Sequence, residues 1–220
     1  QGYVRENGDV GIRNDIWIIP TVGCVNKTAE RIAAISGAKA FSHPYGCSQL
    51  GKDHRFTQNI LRGLVNHPNA GGVLVLGLGC ENNNIKEFKK VLGEYKADRV
   101  KFLECQTVDD EISEGVKLIE ELKEYAARFE RKEIPASRLK IGVKCGGSDG
   151  YSGITANPLV GMITDKLSSM GGTVIMSEVP EMFGAETLLM QRCESREVFD
   201  KLVRMINGYK EYFTSYGEPI

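Results

Sequence analysis

Hydrophobic and polar residues alternate along the chain in blocks that predict strands and helices in turn. Residues 72–78 form a continuous apolar run, which is typical of a strand covered on both faces of a sheet. Residues 109–130 carry apolar side chains at three- and four-residue spacing, which predicts an amphipathic helix. The predicted strands are residues 15–20, 38–42, 72–78, 99–103, 139–143 and 173–176. The predicted helices are residues 27–35, 54–65, 84–95, 109–130, 157–169 and 195–213.

Two features of these predicted helices can be named residue by residue. Asn26 and Asn157 precede helical segments and have the side chain of a helix N-cap, so both are predicted caps. In the segment 54–65, Phe56, Ile60 and Leu61 recur at helical spacing and are predicted to share one apolar face.

The order of strands and helices predicts the fold class. Strands that alternate with helices favour an α/β fold with a Rossmann-like parallel sheet and helices on both faces. We expect residues 1–220 to form a single domain of this kind. In such a sheet the carboxyl ends of the strands lie along one edge, and ligands bind in the crevice there.

Composition excludes some classes of partner. Lys and Arg number 28 and Asp and Glu number 29, for a net charge of -1, so we expect no binding to nucleic acid. No apolar run approaches the roughly 18–20 residues that span a bilayer, so we expect no membrane association. The six cysteines form no CxxC pair, which argues against a zinc ribbon and favours the free thiols of a cytoplasmic protein.

Cysteines cluster at the predicted strand ends. Cys24, Cys80, Cys105 and Cys145 each follow a predicted strand, and Cys47 lies in the loop after another. Thiolates that converge on one edge are suited to a divalent transition metal, and the hypothesis assigns metal binding to Cys47, Cys80 and Cys145. The alternative is that these are buried, unreactive cysteines, because free cysteine is among the most buried residue types.

A glycine-rich stretch lies between a predicted strand and a predicted helix at residues 145–158. Gly146, Gly147, Ser148 and Ser152 offer backbone and hydroxyl donors that suit a substrate carboxylate. Asp149 would repel an anion, so it is predicted to bind metal or a hydroxyl group, or to take a proton. The alternative is a tight turn in which its carboxylate bonds its own backbone. The spacing is not GxGxxG, so a dinucleotide site is weakly supported.

Three side chains are candidates for proton transfer. His43 and His54 bracket a loop that is rich in polar groups, and either is suited to general acid–base chemistry. Glu181, after the last predicted strand, is the second candidate. The alternatives are an ordinary polar loop for the histidines, and for Glu181 a favourable position near the positive end of a following helix.

Several long motifs resemble those of the altronate/galactarate dehydratase family. They are residues 2–14, 67–69, 76–81, 144–158 and 178–186, which together span essentially the whole chain. Residues 19–24 look more like the altronate branch.

The resemblance implies a lyase that removes water from a sugar acid and is activated by iron(II) or manganese(II). It implies that the chain is the central catalytic region of a longer enzyme with an N-terminal SAF domain and a further C-terminal segment. The reaction would be a β-elimination that yields a 2-keto-3-deoxy sugar acid, and we expect a homo-oligomer.

Three alternatives remain open at this point. A related branch of the family acts on sulfolactate, which would make the chain part of a carbon–sulfur lyase. The chain would otherwise be a non-catalytic dimerisation or binding module of the larger enzyme. A nucleotide-binding α/β protein is the third alternative, with its cofactor at residues 146–153.

Overall fold

A computed structural model describes residues 1–147 and 149–220. The chain divides into two compact units, Gln1–Ile134 and Pro135–Ile220. Each unit contains its own parallel sheet, whereas the sequence indicates one continuous domain.

The first unit contains eleven regular elements among its described residues. In chain order these are β1 (Gly2–Val4), β2 (Val10–Gly11), β3 (Asp15–Pro20), α1 (Asn26–Ser36), β4 (Lys39–Ala40), α2 (Gly51–Val65), β5 (Ala70–Gly77), α3 (Ile85–Leu92), β6 (Val100–Glu104), α4 (Glu111–Ala126) and β7 (Arg131–Lys132).

The main sheet of this unit is parallel throughout, in the order β4-β3-β5-β6. Alternate residues of β3 face opposite sides, so Ile18 packs with α1 and α4 while Ile19 packs with α2 and α3. Strand β5 is buried along its whole length, as its continuous apolar run predicts. The α/β class, with a Rossmann-like parallel sheet and helices on both faces, is therefore confirmed.

The face that α2 buries differs from the predicted one. Phe56 and Ile60 are 62% and 65% exposed, so the apolar face predicted from their spacing does not pack into the core as a whole. Leu61 is buried as expected, but its buried neighbours are the polar Thr57 and Gln58. These two residues hydrogen-bond to the loops at the carboxyl edge of the sheet. The bonds favour the rotation of the helix about its axis that turns the polar pair inward.

Both predicted asparagine caps are wrong. Helix α1 has Val25 at its N-cap without a side-chain bond, and Asn26 instead donates to the carbonyl of His43 at 2.9 Å. In the second unit, the helix predicted to be capped by Asn157 has its N-cap at Thr155. A cap needs its side chain to fold back on its own helix, and tertiary partners compete for the same donors and acceptors.

A small antiparallel sheet was not predicted from the sequence. Its order is β2-β1-β7, with Tyr3 opposite Gly11 on one side and Arg131 on the other. It lies outside the parallel sheet and joins the first residues of the unit to its last ones.

The second unit is built around a two-stranded parallel sheet. Its elements are β8 (Lys140–Val143), α5 (Ala156–Ser169), β9 (Thr173–Met176), α6 (Glu186–Gln191) and α7 (Arg196–Ser215). The bounds of β9 are those predicted. The unit buries few large side chains, among them Leu167, Met182 and Ile206. Ser148, one of the predicted substrate-binding residues, lies outside the described residues.

Candidate active site

A buried carboxylate lies at the carboxyl edge of the four-stranded sheet. Glu81 follows β5 and is only 3% exposed. Its Oε1 accepts hydrogen bonds from the Thr21 hydroxyl at 2.7 Å and from the Leu78 amide at 3.0 Å. Its Oε2 accepts from the Gly79 amide at 2.6 Å. Glu81 therefore ties the loop after β5 to the end of β3.

The charge of Glu81 is set by two opposing effects. Burial raises the pKa of its carboxyl group, but the hydrogen bonds from Thr21 and from backbone amides lower it further, so the pKa lies below the ordinary value for glutamate. Glu81 is therefore ionised near neutral pH and acts as an acceptor of hydrogen bonds, not as a proton donor.

A chain of buried amides extends this network to α2. Asn83 donates to the Thr21 carbonyl at 3.0 Å and accepts from Gln58 of α2, also at 3.0 Å. The Asn83 backbone amide donates to the Gly46 carbonyl at 3.3 Å. These bonds join the loops that follow β3, β4 and β5, so the three loops hold one another in place.

The loop after β4 lies directly against the end of β3. Gly46 is buried with φ at +100°, and a Cβ atom there would overlap the carbonyl oxygen of Thr21. Ser48, two residues further on, also has a positive φ of 58°. A loop held this tightly presents the intervening Cys47 in a defined place on the surface.

The cysteines at this edge are accessible thiols. Cys24, Cys47 and Cys80 are exposed and Cys105 is half-buried, so the alternative of buried thiols does not hold for the first three. Burial, followed by the negative charges of Glu111 and Glu81, raises the pKa of the Cys105 thiol to about 11. Cys105 is therefore protonated near neutral pH, which leaves the three exposed thiols as the better ligands or nucleophiles.

The three predicted metal ligands are exposed cysteines that belong to two different units. Among the described residues, no group of three or more His, Cys, Asp or Glu side chains converges in a way that would hold a metal ion. Cys47 and Cys80 lie on neighbouring loops of the first unit, whereas Cys145 belongs to the second. The three-cysteine site therefore stays a prediction.

The two candidate histidines differ in what their ring nitrogens do. In His43, Nε2 lies 2.8 Å from the Pro20 carbonyl oxygen and Nδ1 accepts from the Tyr45 amide at 3.2 Å. These contacts require the proton on Nε2 and leave neither nitrogen free. In His54, Nδ1 is buried without a hydrogen-bond partner among the described residues. His43 therefore has both ring nitrogens engaged, whereas His54 has one that is not hydrogen-bonded in the described part of the chain.

Strand ends of the second unit carry the remaining candidates. Glu178 accepts from the Cys145 amide at 3.1 Å and forms an ion pair with Lys144 at 3.4 Å, so it orders the exposed start of the glycine-rich loop. Asp149 accepts from the Tyr151 amide at 3.0 Å. This bond is the one expected if Asp149 forms a tight turn, and it occupies one of the two carboxylate oxygens of Asp149.

The other second-unit candidates are more loosely held. Gly146 and Gly147 are exposed, and Ser152 is half-buried. The Ser152 amide donates to the Asp149 carbonyl at 3.1 Å, and the Ser152 carbonyl accepts from the Asn157 amide at 2.8 Å. Glu181 is exposed in a short 3-10 helix, Val179–Met182.

Reasoning from the sequence assigned no role to the polar residues that build the edge. Thr21, Gln58, Glu81 and Asn83 are all buried and bonded to one another in a chain. One signal was available for Glu81, since it follows a fully buried strand and a glycine at the predicted ligand-binding edge. For Gln58, on a helix, no local signal exists.

Together these features define a class of protein. The first unit is an α/β unit of the Rossmann-like kind whose strand-end loops form an ordered polar edge with exposed thiols. Such an edge is where proteins of this architecture bind small ligands and perform chemistry.

Comparison with known proteins identifies the family. Residues 2–127 match the family described as D-galactarate dehydratase/Altronate hydrolase, second domain, and residues 136–220 match D-galactarate/Altronate dehydratase, C-terminal. The chain belongs to the D-galactarate dehydratase/altronate hydrolase family, which confirms the resemblance.

Individual relatives agree with this membership. The chain is 53% identical to an altronate dehydratase of Bacillus subtilis and 49% identical to one of Escherichia coli, each over 100% of the chain. It is 32% identical, over 99% of the chain, to a (2R)-sulfolactate sulfo-lyase subunit beta of Chromohalobacter salexigens, covering 58% of that protein. The chain spans 46% and 47% of the two altronate dehydratases. In the part that the structure describes, no helix has the length and apolarity needed to cross a membrane.

Proposed function

We propose that the chain is part of a dehydratase, a hydro-lyase that removes water from a sugar acid such as altronate or galactarate. The observation that carries this proposal is the 53% and 49% identity to two altronate dehydratases across the whole chain. The product would be a 2-keto-3-deoxy sugar acid. We also expect the enzyme to be a homo-oligomer.

The proposed reaction is a β-elimination. A base takes the proton from the carbon next to the substrate carboxylate, and the electron pair of that C–H bond forms the new carbon–carbon double bond. The neighbouring C–O bond breaks, and an acid protonates the departing hydroxyl group, which leaves as water. The enol then tautomerises to the 2-keto acid. Because the C–H group is weakly acidic, fixed donors must stabilise the charge that develops on the carboxylate.

We assign proton transfer to His54, with Glu181 and Asp149 as second candidates. His54 is favoured because its buried Nδ1 lacks a partner among the described residues, whereas both nitrogens of His43 are engaged. Glu81 is proposed as a positioning residue, since its three hydrogen bonds hold the loop that presents Cys80.

The substrate carboxylate is proposed to bind the glycine-rich loop of the second unit. Gly146 and Gly147 offer exposed backbone there, and Ser148 and Ser152 offer hydroxyl groups. The ion pair of Lys144 with Glu178 supports the start of this loop.

A divalent iron or manganese ion remains part of the proposal. Bound at the site, it would polarise a substrate oxygen as a Lewis acid. Cys47, Cys80 and Cys145 are the proposed ligands, and all three thiols are exposed. Since the described residues assemble no three-ligand set, no step of the elimination is assigned to the metal.

The test uses the full-length enzyme that contains this chain. It would be incubated with altronate, galactarate and (2R)-sulfolactate, with and without added iron(II), and assayed for release of 2-keto acid and of sulfite. Release of 2-keto acid from a sugar acid supports the proposal. Release of sulfite together with a 2-keto acid from (2R)-sulfolactate, without turnover of either sugar acid, would favour the sulfo-lyase alternative, and no turnover of any substrate would favour a binding module. Loss of activity after chelation, with recovery on adding iron(II) or manganese(II), would support the metal.

A further inference from the structure

A cavity lies at the end of the first unit's parallel sheet that is opposite the candidate active site, where β5 and β6 begin. It has a volume of about 400 Å³ and is lined by residues from the ends of α2 and α4 and from the loop of the β1–β2 hairpin. Its walls include Arg5, Arg99 and Tyr125. None of these residues belongs to the candidate active site.

Two guanidinium groups line this cavity without a bonded acid. Arg5 is 7% exposed and donates to the Pro68 carbonyl at 2.8 Å, to the Asn14 side chain at 2.7 Å and to another carbonyl at 2.9 Å. Arg99 donates to the carbonyls of Val65, His67 and Ala70 at 2.9–3.1 Å. All six acceptors are neutral oxygens, and among the described residues neither arginine forms an ion pair.

These bonds leave some N–H groups of each cation without an acceptor among the described residues, although the Arg5 guanidinium also lies 5.6 Å from the ring centre of Tyr3 and 5.2 Å from that of Phe129. A guanidinium has five N–H groups, and each arginine uses only three hydrogen bonds here. Burial, and next the charge of Arg99, lowers the pKa of Arg5, while burial lowers that of Arg99. Two cations that are partly removed from water and close enough to repel each other gain from a shared anion.

In the described part of the chain, the acids around the cavity form no hydrogen bond or ion pair with either guanidinium, although the charge of Asp9 opposes in part the lowering of the pKa of Arg99 by burial. Glu6, Asp9 and Glu94 are exposed at its mouth, where water and salt screen their charges. Glu6 is paired with Lys96 at 2.6 Å, and Asp9 accepts from the Asn7 side chain at 2.9 Å. The buried positive charge and the exposed negative charge are thus separated along the cavity.

From this arrangement we infer that the cavity binds a small organic dicarboxylate through Arg5 and Arg99. Paired guanidinium groups match the planar fork of a carboxylate. The acidic rim disfavours a more highly charged ligand such as a polyphosphate. The volume of about 400 Å³ accommodates a molecule of a few carbon atoms. The inference does not depend on the proposed dehydratase function, because its test measures binding alone.

The experiment titrates succinate into the full-length protein by calorimetry. Succinamide, its neutral counterpart, and inorganic phosphate are titrated in parallel. We expect saturable succinate binding that Arg99→Gln weakens at least about tenfold, the effect of losing one or two charged hydrogen bonds. Arg62→Gln is the matched control, because it removes an exposed arginine of α2 that does not line the cavity.

A second variant keeps the test decisive if Arg99→Gln does not fold. Asn66→Glu adds a negative charge at an exposed position of the cavity wall and leaves the hydrogen bonds of both arginines in place. It is expected to weaken succinate binding several-fold without loss of the folded circular dichroism spectrum. The inference is overturned if succinate does not bind, if Asn66→Glu leaves its affinity unchanged, or if phosphate or succinamide binds equally well.

Discussion

Replacing Glu81 by glutamine tests the central contact of the candidate active site. The substitution keeps the shape of the side chain but removes its charge and turns one acceptor oxygen into an NH₂ donor. Both oxygens of Glu81 accept from backbone amides, at 3.0 Å from Leu78 and at 2.6 Å from Gly79. Whichever way the new amide is oriented, its NH₂ group faces an N–H donor.

The expected cost follows from that geometry. One charged hydrogen bond is lost, which is worth about 1.5–3 kcal/mol, and the others become neutral and weaker. We therefore expect Glu81→Gln to lower the free energy of unfolding by about 3 kcal/mol, close to a 10 °C fall in the melting temperature. Urea denaturation followed by circular dichroism measures it. Glu87→Gln, at an exposed residue of α3 paired with Lys90, is the control and should change stability by about 0.5 kcal/mol or less.

The pH dependence gives an independent check. Because the pKa of Glu81 is lowered in the folded state, its contribution is fully present above the ordinary glutamate pKa of about 4.3 and is lost as the pH falls through the lower folded value. The stability gap between wild type and Glu81→Gln should therefore be constant from pH 5 upward and shrink in more acidic solution. A gap that does not change with pH, or a variant as stable as wild type, would refute the reasoning.

Three further predictions concern the same edge. Gly46→Ala should lose at least about 2 kcal/mol of stability in urea denaturation, since Gly46 has a φ of +100° and its Cβ would overlap a carbonyl. Gly63→Ala, in open space on α2, should be neutral or slightly stabilising, and equal effects would contradict the account. Cys80→Ser in the full-length enzyme should reduce turnover, while Cys193→Ser, at a half-buried thiol of the second unit, should not; unchanged turnover in Cys80→Ser would remove it from the site. His54→Gln should lower kcat by about 10²-fold or more while the melting temperature changes little, and an unaltered kcat would exclude it as the proton-transfer group.

Helix α2 shows what the sequence could predict and what it could not. Helix α2 was predicted within a few residues of its start, and its end at Val65 was correct. Its orientation was not, because Phe56 and Ile60 carry more apolar surface than Thr57 and Gln58, yet the polar pair is buried. Hydrophobicity ranks residues one at a time, whereas the rotation of a helix depends on the partners that the rest of the fold brings to it.

The histidines show the same limit for chemistry. Both His43 and His54 were identified from their position in a polar loop beside a predicted strand end. Only the folded chain shows that Pro20 and Tyr45 engage the two nitrogens of His43, while Nδ1 of His54 has no partner among the described residues. Which nitrogen of a histidine ring carries the proton depends on neighbours that can be distant in sequence.

The sequence alone determined the α/β architecture and the edge at which the candidate active site lies. It could do so because strand burial and helical periodicity are repeated signals carried by neighbouring residues. Only the tertiary structure decided that Thr21 donates to Glu81, 60 positions away, and that Arg5 donates to the carbonyl of Pro68, 63 positions away. Each of these contacts is a single hydrogen bond between two residues, so no repeated pattern in the sequence predicts it. It stabilises the protein only after folding has brought the two residues together.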